Sequence, residues 1–240
     1  MVHNNKLLCV CDGVGGWANH GVDAGKYSKK LASHIDELFQ KTPQTYIEDP
    51  KSIIIDAHTL TKEIGSTTCC VLTINDQDEN NLKTSYIGDS GYVIYRKTSQ
   101  STFETIYVSE EQQKSFNFPY QIGSEGDNPS KSLSFEHTVN HNDLIVVGTD
   151  GIFDNIDEKQ ILKCIQPFWE SHDDIPDLDI VAEIISKYAY KLSLDPVYNS
   201  PFTKKARKAF LDFAGGKSDD ITVCVAQVKL GKFQNQQQQQ

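Results

Sequence analysis

The sequence has little of what a membrane or nucleic-acid protein needs. No apolar run approaches the about 20 residues that span a bilayer, and the first ten residues lack the apolar region and cleavage site of a secretory signal. Basic residues are the minority, since 23 Lys plus Arg stand against 33 Asp plus Glu and give a formal net charge of -10. This balance argues against binding to nucleic acid or to an anionic membrane surface. We therefore expect a soluble, intracellular protein.

Cysteines are few, and none occurs in a C-x-x-C pair or another zinc-type spacing. The six cysteines are Cys9, Cys11, Cys69, Cys70, Cys164 and Cys224. Five of them lie inside apolar stretches. We interpret them as small buried hydrophobic residues in a reducing compartment, in preference to disulfide partners or metal ligands.

The hydrophobic pattern predicts grouped strands and helices around one core. The 240 residues, 38% of them hydrophobic, suit a single domain. Strands are expected at 7–11, 68–74, 83–87, 92–96, 103–108, 133–139, 144–147 and 221–228, with residues 67–108 forming an antiparallel meander. Helices are expected at 24–39, ending before Pro43, and at 51–62, 157–169, 178–192 and 202–213, with a long loop at 114–130. This grouping favours an α+β fold of antiparallel sheets covered by helices.

Carboxylates stand at the ends of several predicted strands. Asp12, Asp89 and Asp150 each follow an apolar strand directly, and Asp219-Asp220 precede the last strand. If the strand ends converge, the carboxylates repel one another unless a cation joins them, and oxygen ligands suit Mg²⁺ or Mn²⁺. The alternative for Asp12 and Asp150 is a simple Asp-Gly hairpin turn, which the helical segments that follow both sites disfavour. The alternative for Asp219-Asp220, a solvated acidic turn, stays open.

A second chemistry is suggested by Gly88-Asp89-Ser90-Gly91, which matches the sequence around the nucleophile of trypsin-like serine proteases, with His58 upstream. That chemistry needs a His base bonded to the Ser and oriented by a buried Asp. Ser90 is not followed by Gly-Gly-Pro, and His58 falls in a helical pattern. We therefore disfavour the protease interpretation.

Five ordered motifs resemble those of the metal-dependent type 2C (PPM) serine/threonine protein phosphatases, and the resemblance covers about residues 7–228. The DGVGGW variant, with Phe116-Asn117-Phe118-Pro119-Tyr120-Gln121 and Ser200-Pro201-Phe202, is similar to the mitochondrial and plastid branch of that family. The motifs are Cys11-Asp12-Gly13-Val14-Gly15-Gly16-Trp17, Gly65-Ser66-Thr67-Thr68, Ile87-Gly88-Asp89-Ser90-Gly91, Thr149-Asp150-Gly151-Ile152-Phe153-Asp154-Asn155 and Lys217-Ser218-Asp219-Asp220-Ile221-Thr222-Val223.

The resemblance implies a four-layer αββα sandwich of two antiparallel sheets, formed by residues 1–231. The low-complexity run of Gln residues predicts a disordered tail at 232–240. The resemblance also implies a monomer that hydrolyses phosphoserine and phosphothreonine in phosphoprotein substrates, with a water that bridges two Mn²⁺ or Mg²⁺ ions as nucleophile. Asp12 would bridge the two ions, and a weaker third ion would be held by Asp89 and Asp154. The remaining ligands would be the Gly13 carbonyl, Asp150 and Asp219.

Two departures from the family pattern matter. Val14 stands where mainstream relatives have a His that protonates the leaving group, so a metal-bound water would supply that proton. Family members also begin with further strands that carry an acidic ligand and an Arg, whereas six residues precede the first strand here. We therefore expect an N-terminally truncated fold, and the alternative function is a weakened or inactive phosphatase-like binding module. Relatives of this branch reside in mitochondria, but the chain shows no targeting segment.

Overall fold

The computed structural model describes residues 1–75, 80–99 and 102–230. The expected Gln-rich tail, residues 232–240, lies outside the described residues. Within them the strands are β1 (Val2–Asn4), β2 (Leu7–Val10), β3 (Ser66–Thr67), β4 (Cys69–Asn75), β5 (Asn81–Ile87), β6 (Gly91–Ser99), β7 (Thr102–Val108), β8 (Gln113–Ser115), β9 (Phe118–Pro119), β10 (Ile122–Gly123), β11 (Leu133–Thr138), β12 (Leu144–Gly148) and β13 (Val223–Gln227). The helices are α1 (Ala24–Lys41), α2 (Pro43–Glu48), α3 (Pro50–Leu60), α4 (Asp150–Phe153), α5 (Glu158–Ser171), α6 (Leu178–Ser193) and α7 (Pro201–Lys208), with 3₁₀ turns at Gly15–His20 and Pro129–Lys131.

The described part of the chain divides into two compact units. The first unit contains the described residues of Met1–Ser90 and Glu110–Val139, together with Leu230. The second contains Gly91–Ser109 and Asn140–Lys229. Each unit has its own hydrophobic cluster. No helix in the part of the chain that the structure describes has the length and apolar character of a bilayer-spanning segment.

The first unit is built on a five-stranded antiparallel sheet with the order β1-β2-β4-β5-β11. Helix α1 starts at the N-cap Asp23, whose carboxylate accepts the Gly25 N–H at 2.9 Å. Its buried stripe includes Leu31 and Ile35, and α3 contributes Ile53 to the same cluster. Burying this stripe against the sheet is what holds an amphipathic helix in place.

The structure adds two elements to the sequence predictions in the first unit and corrects one prediction. Residues 2–4 form the edge strand β1, which the apolar pattern did not indicate. Pro43 does follow the end of α1, but it also occupies the first turn of α2, where its missing N–H costs nothing. The expected loop at 114–130 contains β9, β10 and the end of β8, and β10 pairs with β3.

The second unit is built on a four-stranded antiparallel sheet with the order β13-β12-β6-β7. Helices α5 and α6 pack their apolar residues on it, and the cluster includes Val146, Ile161 and Ile185. Asp157 and Gln160 form a reciprocal capping box that starts α5.

Two further predictions change in the second unit. The expected meander over 67–108 is wrong at its middle, because β5 pairs with β4 and β11 whereas β6 pairs with β7 and β12. The break follows Gly88, whose φ of 105° turns the chain out of the first sheet. Helix α7 ends at Lys208, short of the predicted residue 213, since Phe210 adopts a positive φ of 59° that a helix cannot continue. The α+β class with helix-covered antiparallel sheets is confirmed.

Candidate metal centre

A cluster of carboxylates around one ammonium group lies at the end of β12 in the second unit. The Lys217 Nζ lies 2.5 Å from Asp150 Oδ2, 2.8 Å from Asp154 Oδ2 and 3.1 Å from Asp219 Oδ2. Lys205 Nζ lies 2.5 Å from the other oxygen of Asp154. Because three carboxylates contact the same nitrogen, the structure brings Asp150, Asp154 and Asp219 within a few ångströms of one another.

The backbone around this acidic cluster is held by close packing. Gly148 pairs with Val223, which brings the start of α4 beside the segment before β13. A Cβ on Gly151 would lie 2.3 Å from the carbonyl oxygen of Asp220, so only glycine permits this approach. The Thr149 hydroxyl donates to the same carbonyl at 3.1 Å. These contacts determine where Asp150 and Asp219 lie.

Asn155 positions Lys217 through the backbone. Its side-chain amide donates to the carbonyl oxygens of Lys217 at 2.8 Å and Gly151 at 2.9 Å. Its side-chain oxygen accepts the Lys217 N–H at 2.9 Å. Asn155 is fully buried, so these hydrogen bonds join two segments that are 62 residues apart in sequence.

The electrostatics of the cluster favour additional positive charge. Burial raises the pKa of Asp150, and the charges of Asp154 and Asp219 raise it further, whereas Lys217 opposes the shift. Burial lowers the pKa of Lys217, but the charges of Asp154 and Asp150 and their hydrogen bonds outweigh burial, so the net pKa is raised. Three carboxylates and two ammonium groups leave a net negative charge. An oxygen-only donor set with this charge fits Mg²⁺ or Mn²⁺.

The remaining predicted ligands lie in the first unit, at one edge of its sheet. Strands β2 and β5 both run antiparallel to β4, so their carboxyl ends share an edge, and Asp12 and Asp89 follow those ends. The Asp12 carbonyl accepts the Thr68 N–H at 2.9 Å and the Thr67 hydroxyl at 2.7 Å. Asp89 is buried, with 7% of its surface exposed.

The turn after Asp12 is anchored on the segment before β4. A Cβ on Gly13 would lie 2.3 Å from the Ala24 carbonyl oxygen, so the turn packs directly on the start of α1. The Val14 N–H donates to the Ser66 carbonyl at 3.0 Å, and the Trp17 indole donates to the Ser66 hydroxyl at 2.6 Å. These contacts explain why the Gly-rich motif and the Gly65-Ser66-Thr67-Thr68 motif occur together.

The geometry excludes the serine-protease interpretation. The Ser90 hydroxyl shares a hydrogen bond of 2.7 Å with the Thr68 hydroxyl. The His58 Nδ1 lies 2.7 Å from the Tyr27 hydroxyl. His58 therefore does not act as a base for Ser90.

Sequence reasoning missed the cationic side of the cluster. Lys217 belongs to one of the sequence motifs, which gives it no role of its own, and Lys205 lies outside all five motifs. A signal for Lys217 was present, because a lysine two residues before an acidic pair and after Gly215-Gly216 is placed to contact carboxylates. No local signal marks Lys205, which reaches Asp154 only through the packing of α7.

The sequence comparisons find phosphatase relatives, although no protein-family model matches the chain. The chain is 37% identical to "probable protein phosphatase 2C 55" of Arabidopsis thaliana, over 95% of this chain and 46% of that protein. It is 32% identical to "protein phosphatase PTC7 homolog fig" of Drosophila mojavensis, over 94% of this chain and 74% of that protein. The chain spans about half the length of two Arabidopsis relatives that it matches.

The structure comparisons find phosphatases as well. The X-ray structure of the photosystem II phosphatase PBCP matches with a TM-score of 0.82 and 29% identity, covering 95% of this chain and 88% of that chain. The catalytic domain of the phosphatase PstP in complex with two manganese ions matches with a TM-score of 0.64 and 16% identity, covering 95% of this chain and 90% of that chain. At 16% identity, the match to PstP shows only that the two chains share a fold. The phosphatase fold implied by the sequence motifs is confirmed.

Proposed function

Because the chain belongs to the type 2C (PPM) family of protein phosphatases, we propose that it hydrolyses phosphoserine and phosphothreonine in proteins with the help of divalent cations. The observation that carries this proposal is the cluster of Asp150, Asp154 and Asp219 around Lys217. Carboxylates held this closely favour a bound cation over a bare site. The substrates are phosphoproteins by membership of the family.

The proposed ligands within the second unit are Asp150, Asp154 and Asp219. Within the first unit, Asp12, the Gly13 carbonyl and Asp89 stay predicted ligands. Bound Mn²⁺ or Mg²⁺ supplies an activated water and stabilises the negative charge that develops on the phosphoryl group.

The chain's own residues hold this site in shape and limit its proton chemistry. Asn155 and Thr149 fix the two backbone segments, so that Asp150 and Asp219 keep their positions before substrate arrives. Lys217 balances part of the negative charge. Val14 carries no ionisable group, so the proton for the leaving serine or threonine oxygen comes from water.

The experiment is a comparison of Asp150→Asn with Asp174→Asn. Asp174 is an exposed carboxylate that pairs with Lys229, away from the acidic cluster. We expect the wild-type chain to release phosphate from a phosphothreonine peptide and from an aryl phosphate only when Mn²⁺ or Mg²⁺ is added. Asp150→Asn should abolish this release and weaken Mn²⁺ binding measured by calorimetry, while Asp174→Asn behaves as wild type.

Two results separate the alternatives. Full activity in Asp150→Asn refutes the role assigned to this aspartate. Calorimetric Mn²⁺ binding without any phosphate release supports the second function, a phosphatase-like binding module.

A further inference from the structure

Three cysteine thiols meet inside the first unit. The sulfur atoms of Cys9, Cys11 and Cys69 all lie within 4.8 Å of one another. The Cys9 and Cys11 sulfurs are 3.7 Å apart, and so are those of Cys11 and Cys69. All three are free thiols.

The register of the sheet explains this meeting. Cys9 and Cys11 are two residues apart along the same extended segment, so their side chains lie on one face. Val10 pairs with Cys70, and the same register places Cys11 opposite Cys69. The Cys70 side chain therefore points to the other face. The pairing of β2 with β4 therefore brings the three thiols together on the face of the sheet that the helices cover.

Two of the three thiols are buried, and the third is partly exposed to solvent. Cys9 and Cys69 are fully buried in the cluster that also contains Tyr27 and Ile87. Cys11 is partly exposed. The partly exposed Cys11 therefore gives an ion an approach to the three sulfur atoms from solvent, and a water molecule would be its fourth ligand there.

We propose that Cys9, Cys11 and Cys69 form a binding site for one thiophilic d¹⁰ cation of the Zn²⁺ type. In a tetrahedral site with Zn–S bonds of about 2.3 Å, neighbouring sulfur atoms lie about 3.8 Å apart, close to the separations observed here. Thiolate ligands select soft cations, whereas oxygen ligands select Mg²⁺ and Mn²⁺. The site is thus chemically distinct from the carboxylate centre and goes beyond the proposed phosphatase activity.

The test uses Cd²⁺ as the probe, because thiolate coordination to Cd²⁺ produces an ultraviolet charge-transfer absorption that carboxylates do not produce. The metal-free chain of 240 residues is titrated with Cd²⁺ in the presence of a phosphine reductant. We expect the absorption to saturate at one equivalent and a large molar excess of Zn²⁺ to displace the bound Cd²⁺, the softer of the two cations. Cys11→Ala and Cys69→Ala should each weaken Cd²⁺ binding at least about tenfold.

Two controls make the outcome specific. Cys70→Ala changes the neighbouring cysteine on the opposite face, and Cys164→Ala changes one in the second unit, so both should keep the wild-type titration. Circular dichroism and thermal unfolding check that each variant is folded. If Cys69→Ala does not fold, two measurements replace it. The first is the titration of Cys11→Ala, which changes a partly exposed residue. The second is mass spectrometry of the Cd²⁺-loaded wild type, which should show Cys9, Cys11 and Cys69 protected from alkylation.

The proposal is overturned if no charge-transfer band develops at one equivalent, or if Cys11→Ala retains the band. Neither readout depends on phosphate release, so failure of the phosphatase proposal and failure of this one are distinguishable.

Discussion

Lys217 is the residue whose replacement tests the carboxylate centre most directly. Its ammonium group contacts Asp150, Asp154 and Asp219, and only 15% of its side chain is exposed. Lys217→Met keeps the apolar stem and removes the charge. The carboxylates then face one another, with Lys205 still paired to Asp154, so the metal-free protein loses stability while its affinity for a divalent cation rises.

The magnitudes follow from burial and charge. Removing one partner of a largely buried ion pair costs about 3 kcal/mol or more, so we expect the free energy of unfolding of the metal-free variant to fall by that amount. A cation at about 100 times its Kd returns about 2.7 kcal/mol by mass action. A unit charge about 4 Å away contributes about 4 kcal/mol at an effective dielectric constant of 20, so a gain in Mn²⁺ affinity of about tenfold is a conservative expectation.

The assay combines urea unfolding, with and without Mn²⁺, and calorimetric titration of Mn²⁺. Lys187→Met is the matched control, since Lys187 is 73% exposed and its surface pair with Glu183 contributes little. We expect Mn²⁺ to reduce the stability difference between Lys217→Met and the wild type by about 1.4 kcal/mol, the equivalent of a tenfold gain in affinity. Equal losses with and without Mn²⁺, or weaker Mn²⁺ binding by the variant, refute the reasoning.

Two further predictions concern local structure. Burial raises the pKa of Asp127, but the hydrogen bond and charge of Lys114, 2.8 Å away, contribute to a net pKa below the usual value. The stability that ionised Asp127 contributes is present above the unfolded-state pKa of about 3.9 and is lost as the pH falls through the lower folded-state pKa. In urea unfolding, Asp127→Asn should therefore lower the free energy of unfolding by about 1 kcal/mol at pH 7 and leave it unchanged at about pH 2. Equal effects at the two pH values would contradict this prediction. Gly151→Ala should lower the free energy of unfolding by about 2 kcal/mol, because the added Cβ would lie 2.3 Å from the Asp220 carbonyl oxygen. Gly16 has open space around it, so Gly16→Ala should change the free energy of unfolding by less than about 0.5 kcal/mol in the same assay. Equal effects of the two substitutions would exclude the steric argument.

Local elements were predictable where one face of the segment is buried. The stripe through Leu31 and Ile35 predicted α1, and the apolar run at 144–147 predicted all of β12 except Gly148, because burial leaves a recognisable hydrophobic pattern in the sequence. The sequence predictions fail where the conformation of a segment depends on the strand with which it pairs. Strand β1 has a weak pattern of its own, and it becomes a strand by pairing with β2.

The sequence by itself determined the helix and strand segments, the family motifs and the placement of single aspartates at strand ends, since each is recorded in residues close together along the chain. Only the tertiary structure decided that Lys217 joins Asp150 across 67 residues and that Cys11 meets Cys69 across 58. The physical reason is that a contact energy depends on distance in space, and strand register and helix packing set that distance for residues remote in sequence. Composition and spacing therefore indicated an acidic centre, but its ammonium partner and the thiol trio required the fold.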